Sequence, residues 1–168
     1  MQLPFTKLQK KWFEKHLLIG WQEWCSLPQL HLPAVKAKID TGAQTSALHA
    51  FDIERFSFQD RDFVRFKVHP VQANRSIIRE CTSELVDIRD VMSSNGHKEK
   101  RFVIKTLLQL GDKEWEIEIT LSNRDPLRFR MLLGREALHG KVIIDPTKTS
   151  YQKKIKKREV FQLYDVAL

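Results

Sequence analysis
The stretch Ile39-Asp40-Thr41-Gly42-Ala43-Gln44-Thr45-Ser46-Ala47-Leu48 puts an acid directly after an apolar strand pattern and follows it with a small-residue turn. Upstream, Val35, Ala37 and Ile39 alternate with Lys36 and Lys38, the period-two pattern of a half-buried strand. Asp40 therefore stands where a strand ends, the place from which a carboxylate can face a cleft. Gly42 has no Cβ, so backbone can approach the acid closely. The Thr41 hydroxyl can lock the loop by hydrogen bonding, and Ala43 and Ser46 leave room for an extended ligand. Hydrolysis through a carboxylate-activated water needs this combination. By itself the triplet also describes an ordinary turn with an exposed acid, so the neighbouring segments decide.

Outward from that turn the chain reads as many short strands. Residues 18–24 form a strand pattern, and 26–28 a turn. Residues 5–17 are lysine-rich and aromatic, suited to a short helix or an arm. Val64, Phe66 and Val68 alternate with Arg65 and Lys67, and residues 84–90 and 101–110 are further strand candidates. Past the turn Gly111-Asp112-Lys113 comes the cleanest strand. Trp115, Ile117, Ile119 and Leu121 point one way, and Glu114, Glu116, Glu118 and Thr120 the other. Met131-Leu132-Leu133 is an apolar run closed by Gly134. Residues 135–139 suit one short helix, and 142–144 a last strand. Little helix, no internal repeat and turn-bounded strands point to an all-β closed or sandwich-like domain.

Met131-Leu132-Leu133-Gly134-Arg135-Glu136-Ala137-Leu138 resembles the second signature of retropepsins, the small dimeric aspartic proteases. Residues 84–90 and 101–110 fit the arms of the retropepsin flap, and residues 91–98 its mobile tip. The segments Ile19-Gly20-Trp21-Gln22-Glu23-Trp24, residues 36–50, Val68-His69-Pro70 and residues 128–135 are similar to a narrower bacterial family. Its members carry the labels "ATP-dependent zinc protease" and RimK-associated, or RimB-like, protease. The resemblance covers residues 18–147, leaving 1–17 as an N-terminal arm and 148–168 as a basic tail.

What this resemblance implies is a retropepsin-like (acid protease) closed β-barrel with one short helix after the hydrophobic-Gly motif. It implies an aspartic endopeptidase with Asp40 as the catalytic acid and Thr41 and Gly42 holding the loop. A glutamate-tailed peptide or protein would be the substrate, with a RimK-type ligase or a ribosomal protein as partner. No other aspartate of the chain is followed by Thr or Ser, so the second carboxylate would come from a homodimer. Ala43, Gly96, His97, Arg101 and Arg130 are the candidate substrate-binding residues. The arginines suit acidic substrates because a guanidinium grips a carboxylate bidentately. One departure stands out: viral retropepsins carry an acid two residues after the Gly, where this chain has Gln44. Arg135 then needs another partner. Residues 59–81 exceed a minimal retropepsin and read as an extra hairpin.

The zinc and ATP labels have no counterpart in the residues: there is no His-Glu-x-x-His, no Cys-x-x-Cys and no phosphate loop. The expectation is no metal and no cofactor. Cys25 and Cys81 are far apart and read as small buried hydrophobes in a reduced, cytoplasmic compartment. No apolar run suits a membrane span or a signal peptide. Of the net charge of +8, half falls in residues 148–168, which hold six Lys or Arg and two acids. That tail reads as a solvated end, or else as an attractor of acidic partners. Two rival functions stay open on these grounds: a catalytically silent module that binds acidic peptides, and a ribosome- or RNA-associated protein acting through its tail.

Overall fold
A computed structural model describes residues 6–92, 95–123 and 128–166. The strands are β1 (Leu17–Ile19), β2 (Gln22–Leu27), β3 (Leu32–Ile39), β4 (Ser46–His49), β5 (Phe51–Phe58), β6 (Arg61–Val68), β7 (Arg79–Met92), β8 (Lys98–Leu110), β9 (Lys113–Ser122), β10 (Met131–Leu133) and β11 (Val142–Ile144). The helices are α1 (Lys7–Lys15), α2 (Arg135–Leu138) and α3 (Lys157–Leu163).

Six strands close a mixed barrel in the order β2-β3-β10-β4-β9-β8, with β8 returning to β2 through Cys25↔Leu110 and Ser26↔Gln109. The short β10 runs parallel to β3 and antiparallel to β4, so it threads between the strand that ends at Asp40 and the strand that follows it. Leu27, Leu32, Leu48, Ile104, Leu108 and Ile119 are buried inside. The alternation read along β9 holds, with Ile117, Ile119 and Leu121 in the core. The all-β barrel and the short helix after Gly134 are both present.

From β8 the sheet continues outward as β7, β6 and β5. The extra hairpin exists, but its arms are β5 and β6. They turn at Gln59-Asp60, both at positive φ (50° and 59°) between the paired Phe58 and Arg61. Residues 69–78 link it to β7, and there Asn74 Oδ1 accepts from the N–H groups of Ser76 and Ile77. The flap arms run further than their hydrophobic pattern suggested, because Val91, Met92 and Lys98 belong to the β7–β8 ladder. Ser93 and Ser94 of the proposed tip lie outside the described residues. Among the described residues, β7 pairs only with β8 from Asp87 onward, and β9 joins β8 only from Val103. The hairpin's end is therefore a two-stranded ribbon.

Two expectations need correction. The strand at 18–24 is two strands in different sheets, broken at Gly20. At the break, the fully buried carboxylate of Glu23 accepts the N–H of Gly20 (2.8 Å), Tyr151 (2.7 Å) and Gln152 (3.2 Å). A buried carboxylate is tolerated where such donors converge. Nor is the tail a solvated end. Val160 and Phe161 of α3 and Tyr164, which caps its C-terminus, are buried, and the Tyr164 hydroxyl donates to Ala34 O at 2.7 Å. Most of the tail's lysines precede the helix, and Lys157 lies over the Phe161 ring at 5.8 Å, so charge alone concealed a helix with one buried face.

Candidate active site
Asp40 follows the last residue of β3, and its N–H donates to Leu133 O on β10 at 2.9 Å. The next turn is clamped by the start of α2: Arg135 N–H donates to Ala43 O (2.9 Å) and Glu136 N–H to Gln44 O (3.1 Å). Gly134 N–H donates to Ser46 Oγ at 3.1 Å. A Cβ on Gly134 would lie 2.6 Å from the Thr45 carbonyl carbon, so only glycine allows this approach. Gly42 N–H donates to Asp40 Oδ1 at 3.1 Å, and a side chain there would crowd that same oxygen at 3.2 Å.

The place of the missing acid at 44 is filled in two ways. Arg135 Nη1 donates to the carbonyls of Thr41 (2.9 Å) and Gly42 (3.3 Å), and so holds the turn directly. Gln44 Nε2 donates to Glu136 Oε1 at 2.7 Å. The Thr41 hydroxyl, expected to lock the loop, is exposed and makes no hydrogen bond among the described residues. Its carbonyl serves instead.

Asp40, half-buried, opens on a cleft of about 1030 Å³ between this turn and the flap hairpin. Of the residues expected at the site, Asp40, Gly42, Ala43, Arg101 and Arg130 line the cleft. Gly96 and His97 are exposed at the hairpin tip and do not line it. Lys38, Arg89, Arg101, Arg128 and Arg130 bring positive charge to it, and Asp90, Glu118 and Glu136 join Asp40 as acids. Arg128 lies over the rings of Trp21 (6.0 Å) and Phe129 (5.6 Å). Sequence reasoning missed Arg89 and Glu118 as cleft residues; the alternation along β9 put Glu118 on the same side as Thr120, which also lines the cleft, and Arg89 follows from its register opposite Arg101. Among the described residues no three His, Cys, Asp or Glu side chains gather as a metal centre requires. Both cysteines are buried, and burial pushes each thiol up to about 12.

The model of the RimB-like family, described as retropepsin-like aspartic endopeptidase RimB, matches residues 18–155. The chain belongs to this family. Among curated proteins, this RimB-like chain is 46% identical over 153 residues to a "Probable alpha-L-glutamate ligase" of Shewanella pealeana, covering 91% of the chain and 33% of that protein. It is 49% identical over 129 residues to a protein of the same name from Desulfotalea psychrophila, covering 77% of the chain and 28% of that protein. The chain thus spans about a third of the length of these relatives. The crystal structure of Lpg0085 from Legionella pneumophila, a protein of unknown function, is similar with a TM-score of 0.67 at 28% identity. The match covers 79% of this RimB-like chain and 95% of that one. Among the described residues no helix is long and apolar enough to cross a membrane.

Proposed function
We propose that this chain is an aspartic endopeptidase of the cytoplasm, acting as a homodimer on acidic, glutamate-rich peptides or protein tails. One observation carries the reading: Asp40 lies at the cleft on a turn clamped from behind by β10 and Arg135. Such a carboxylate is held in place before any substrate arrives. Aspartic proteolysis needs two carboxylates sharing one proton. The chain has no second Asp-Thr-Gly or Asp-Ser-Gly, so the second Asp40 comes from a twofold-related copy. The exposed Thr41 hydroxyl is then available to the partner protomer.

In the reaction, the ionised Asp40 takes a proton from water as the oxygen attacks the peptide carbonyl. The protonated Asp40 of the other protomer donates to the carbonyl oxygen. Collapse of the tetrahedral adduct returns a proton to the leaving nitrogen and frees the acid and amine products. Gly42 N–H keeps one Asp40 oxygen oriented. The flap hairpin, with Gly96 and His97 at its tip, folds over the bound peptide and excludes bulk water. Arg101 and Arg130 favour acidic side chains. The name shared by the longer relatives supports a link to a RimK-type glutamate ligase, and a glutamate-extended ribosomal protein fits as substrate.

Cleavage of an oligo-glutamate-tailed peptide against a lysine-rich peptide of equal length tests the substrate class. The acidic peptide should be cut faster, and its advantage should shrink as salt rises, because screening acts over about 8 Å at physiological ionic strength. Equal rates at low salt overturn the substrate class. Tight binding without cleavage favours the silent binding module instead.

A further inference from the structure
The flap hairpin breaks a rule that paired strands ordinarily keep. Arg89 of β7 and Arg101 of β8 stand directly opposite each other in register, and like charges so placed destabilise a sheet. Opposed residues share a face, and both arginines line the cleft that holds Asp40. Each guanidinium is compensated from within the chain. Arg101 is gripped by Glu99, with Nη2 at 2.9 Å and Nε at 3.0 Å from the same oxygen. Arg89 Nε donates to Asp87 at 2.7 Å, while its Nη1 reaches off the hairpin to Glu118 of β9, also at 2.7 Å. The Arg101 side chain is 11% exposed, whereas those of Arg89 and Glu118 are 34% and 32% exposed. A pair this open to water is weakly held, so Glu118 is a replaceable partner.

The wall behind Glu118 offers it somewhere to go. Lys105 of β8 is directly opposite Glu118 in register and at present pairs with Glu116 at 3.2 Å. A Glu118 carboxylate released from Arg89 meets that ammonium without being stranded.

We infer that Arg89 is a specificity-determining, carboxylate-binding residue of the cleft, and that Glu118 is its internal stand-in until an acidic side chain of the substrate displaces it. The inference rests on the reading of the Asp40 cleft as a peptidase site. The exchange is one of ion pairs only: the Arg89 Nη edge passes from Glu118 to the incoming carboxylate, Glu118 turns to Lys105, and Asp87 stays on Nε. The Arg89–Glu118 pair also ties the two-stranded end of the hairpin to β9. An acidic peptide therefore loosens the hairpin from the wall in the act of being gripped by it.

The test measures affinity of a penta-glutamate peptide for the full chain carrying Asp40→Asn, which binds without cutting. On that background Arg89→Gln should weaken binding about tenfold, since a charge-assisted contact is lost. Glu118→Gln should tighten it several-fold by removing the competitor. Glu114→Gln removes the same charge from the same face of β9 without touching Arg89, Glu118 or Lys105, and should stay within about twofold. With Arg89→Gln already present, Glu118→Gln should gain nothing further. A Glu118→Gln gain that persists without Arg89, or that Glu114→Gln reproduces, overturns the inference in favour of bulk charge. Hydrogen exchange gives an independent readout: amides of 87–92 and 98–102 should exchange faster in Glu118→Gln, and unchanged exchange contradicts the tie to β9. Failure of the parent to bind the peptide at low salt rejects the inference. Hydrolysis of any peptide that disappears with Asp40→Asn would still uphold the catalytic reading.

Discussion

The turn at 40–46 is fixed by main-chain hydrogen bonds to β10 and α2, while the hairpin that faces it is tied down by charged side chains. Asp40, Ala43 and Gln44 each use a backbone group on Leu133, Arg135 or Glu136. Arg89 and Arg101 instead meet Asp87, Glu118 and Glu99. These main-chain bonds run to β10 and to the start of α2, whose places the fold sets, so the acid stays in place. The partly exposed Arg89–Glu118 pair has alternatives in solvent, in Lys105 and in substrate, so the hairpin can re-pair. One half of the cleft is built for position and the other for exchange.

The sharpest break of that contrast compares two glycines. Gly134→Ala forces a Cβ to within 2.6 Å of backbone at Thr45, and no flexible side chain can yield there. We expect a loss of about 3 kcal/mol or failure to fold, from overpacking and a disrupted clamp. Gly96→Ala at the hairpin tip meets nothing within 4 Å and suffers only from its positive φ of 78°. Its cost should be about 1 kcal/mol. Chemical denaturation of both variants decides the matter, and equal losses would dissolve the distinction.

A change of pH should separate the halves too. Cys25 lies against β10, its Sγ 3.9 Å from Met131 Sδ, and burial followed by the nearby Glu23 charge raises the thiol from 9.0 to about 12. A raised thiol binds its proton more tightly when folded. Its contribution is full below pH 9.0 and is lost as pH climbs toward about 12. On the hairpin, Arg89 and then the Ile88 N–H lower the Asp87 carboxyl below 3.8. That contribution is present above pH 3.8 and fades as pH falls through the lowered value. Hydrogen exchange should show the barrel loosening in alkali and the hairpin in acid. The acid effect should be the smaller, because Asp87 is exposed to solvent.

Much of this contrast was legible beforehand. Alternating apolar residues marked β3, β6 and β9, and Asp40 at the end of β3 marked the turn. The signature around Gly134 marked its clamp. Short β4 offered too few residues to read, and β5 alternates in two pairs, Phe51/Ile53 and Phe56/Phe58, that are out of phase across a register shift. Glu23 looked like one more strand polar residue, since its donors at Tyr151 and Gln152 are remote in sequence. The tail was misread because its charge outweighed the spacing of Val160, Phe161 and Tyr164. The pairing of Arg89 with Glu118 depends on sheet register, which periodicity gives only by strand and not between strands.

The central claim is that Asp40 performs hydrolysis in a pair. Its most direct test is peptide cleavage by Asp40→Asn, by wild type and by mixed dimers of the two, with association state measured in the same samples. The account predicts that Asp40→Asn folds and dimerises but loses about 1,000-fold or more of the rate, and that mixed dimers are strongly impaired. Cleavage by Asp40→Asn at the wild-type rate, or full activity from a strict monomer, would contradict it.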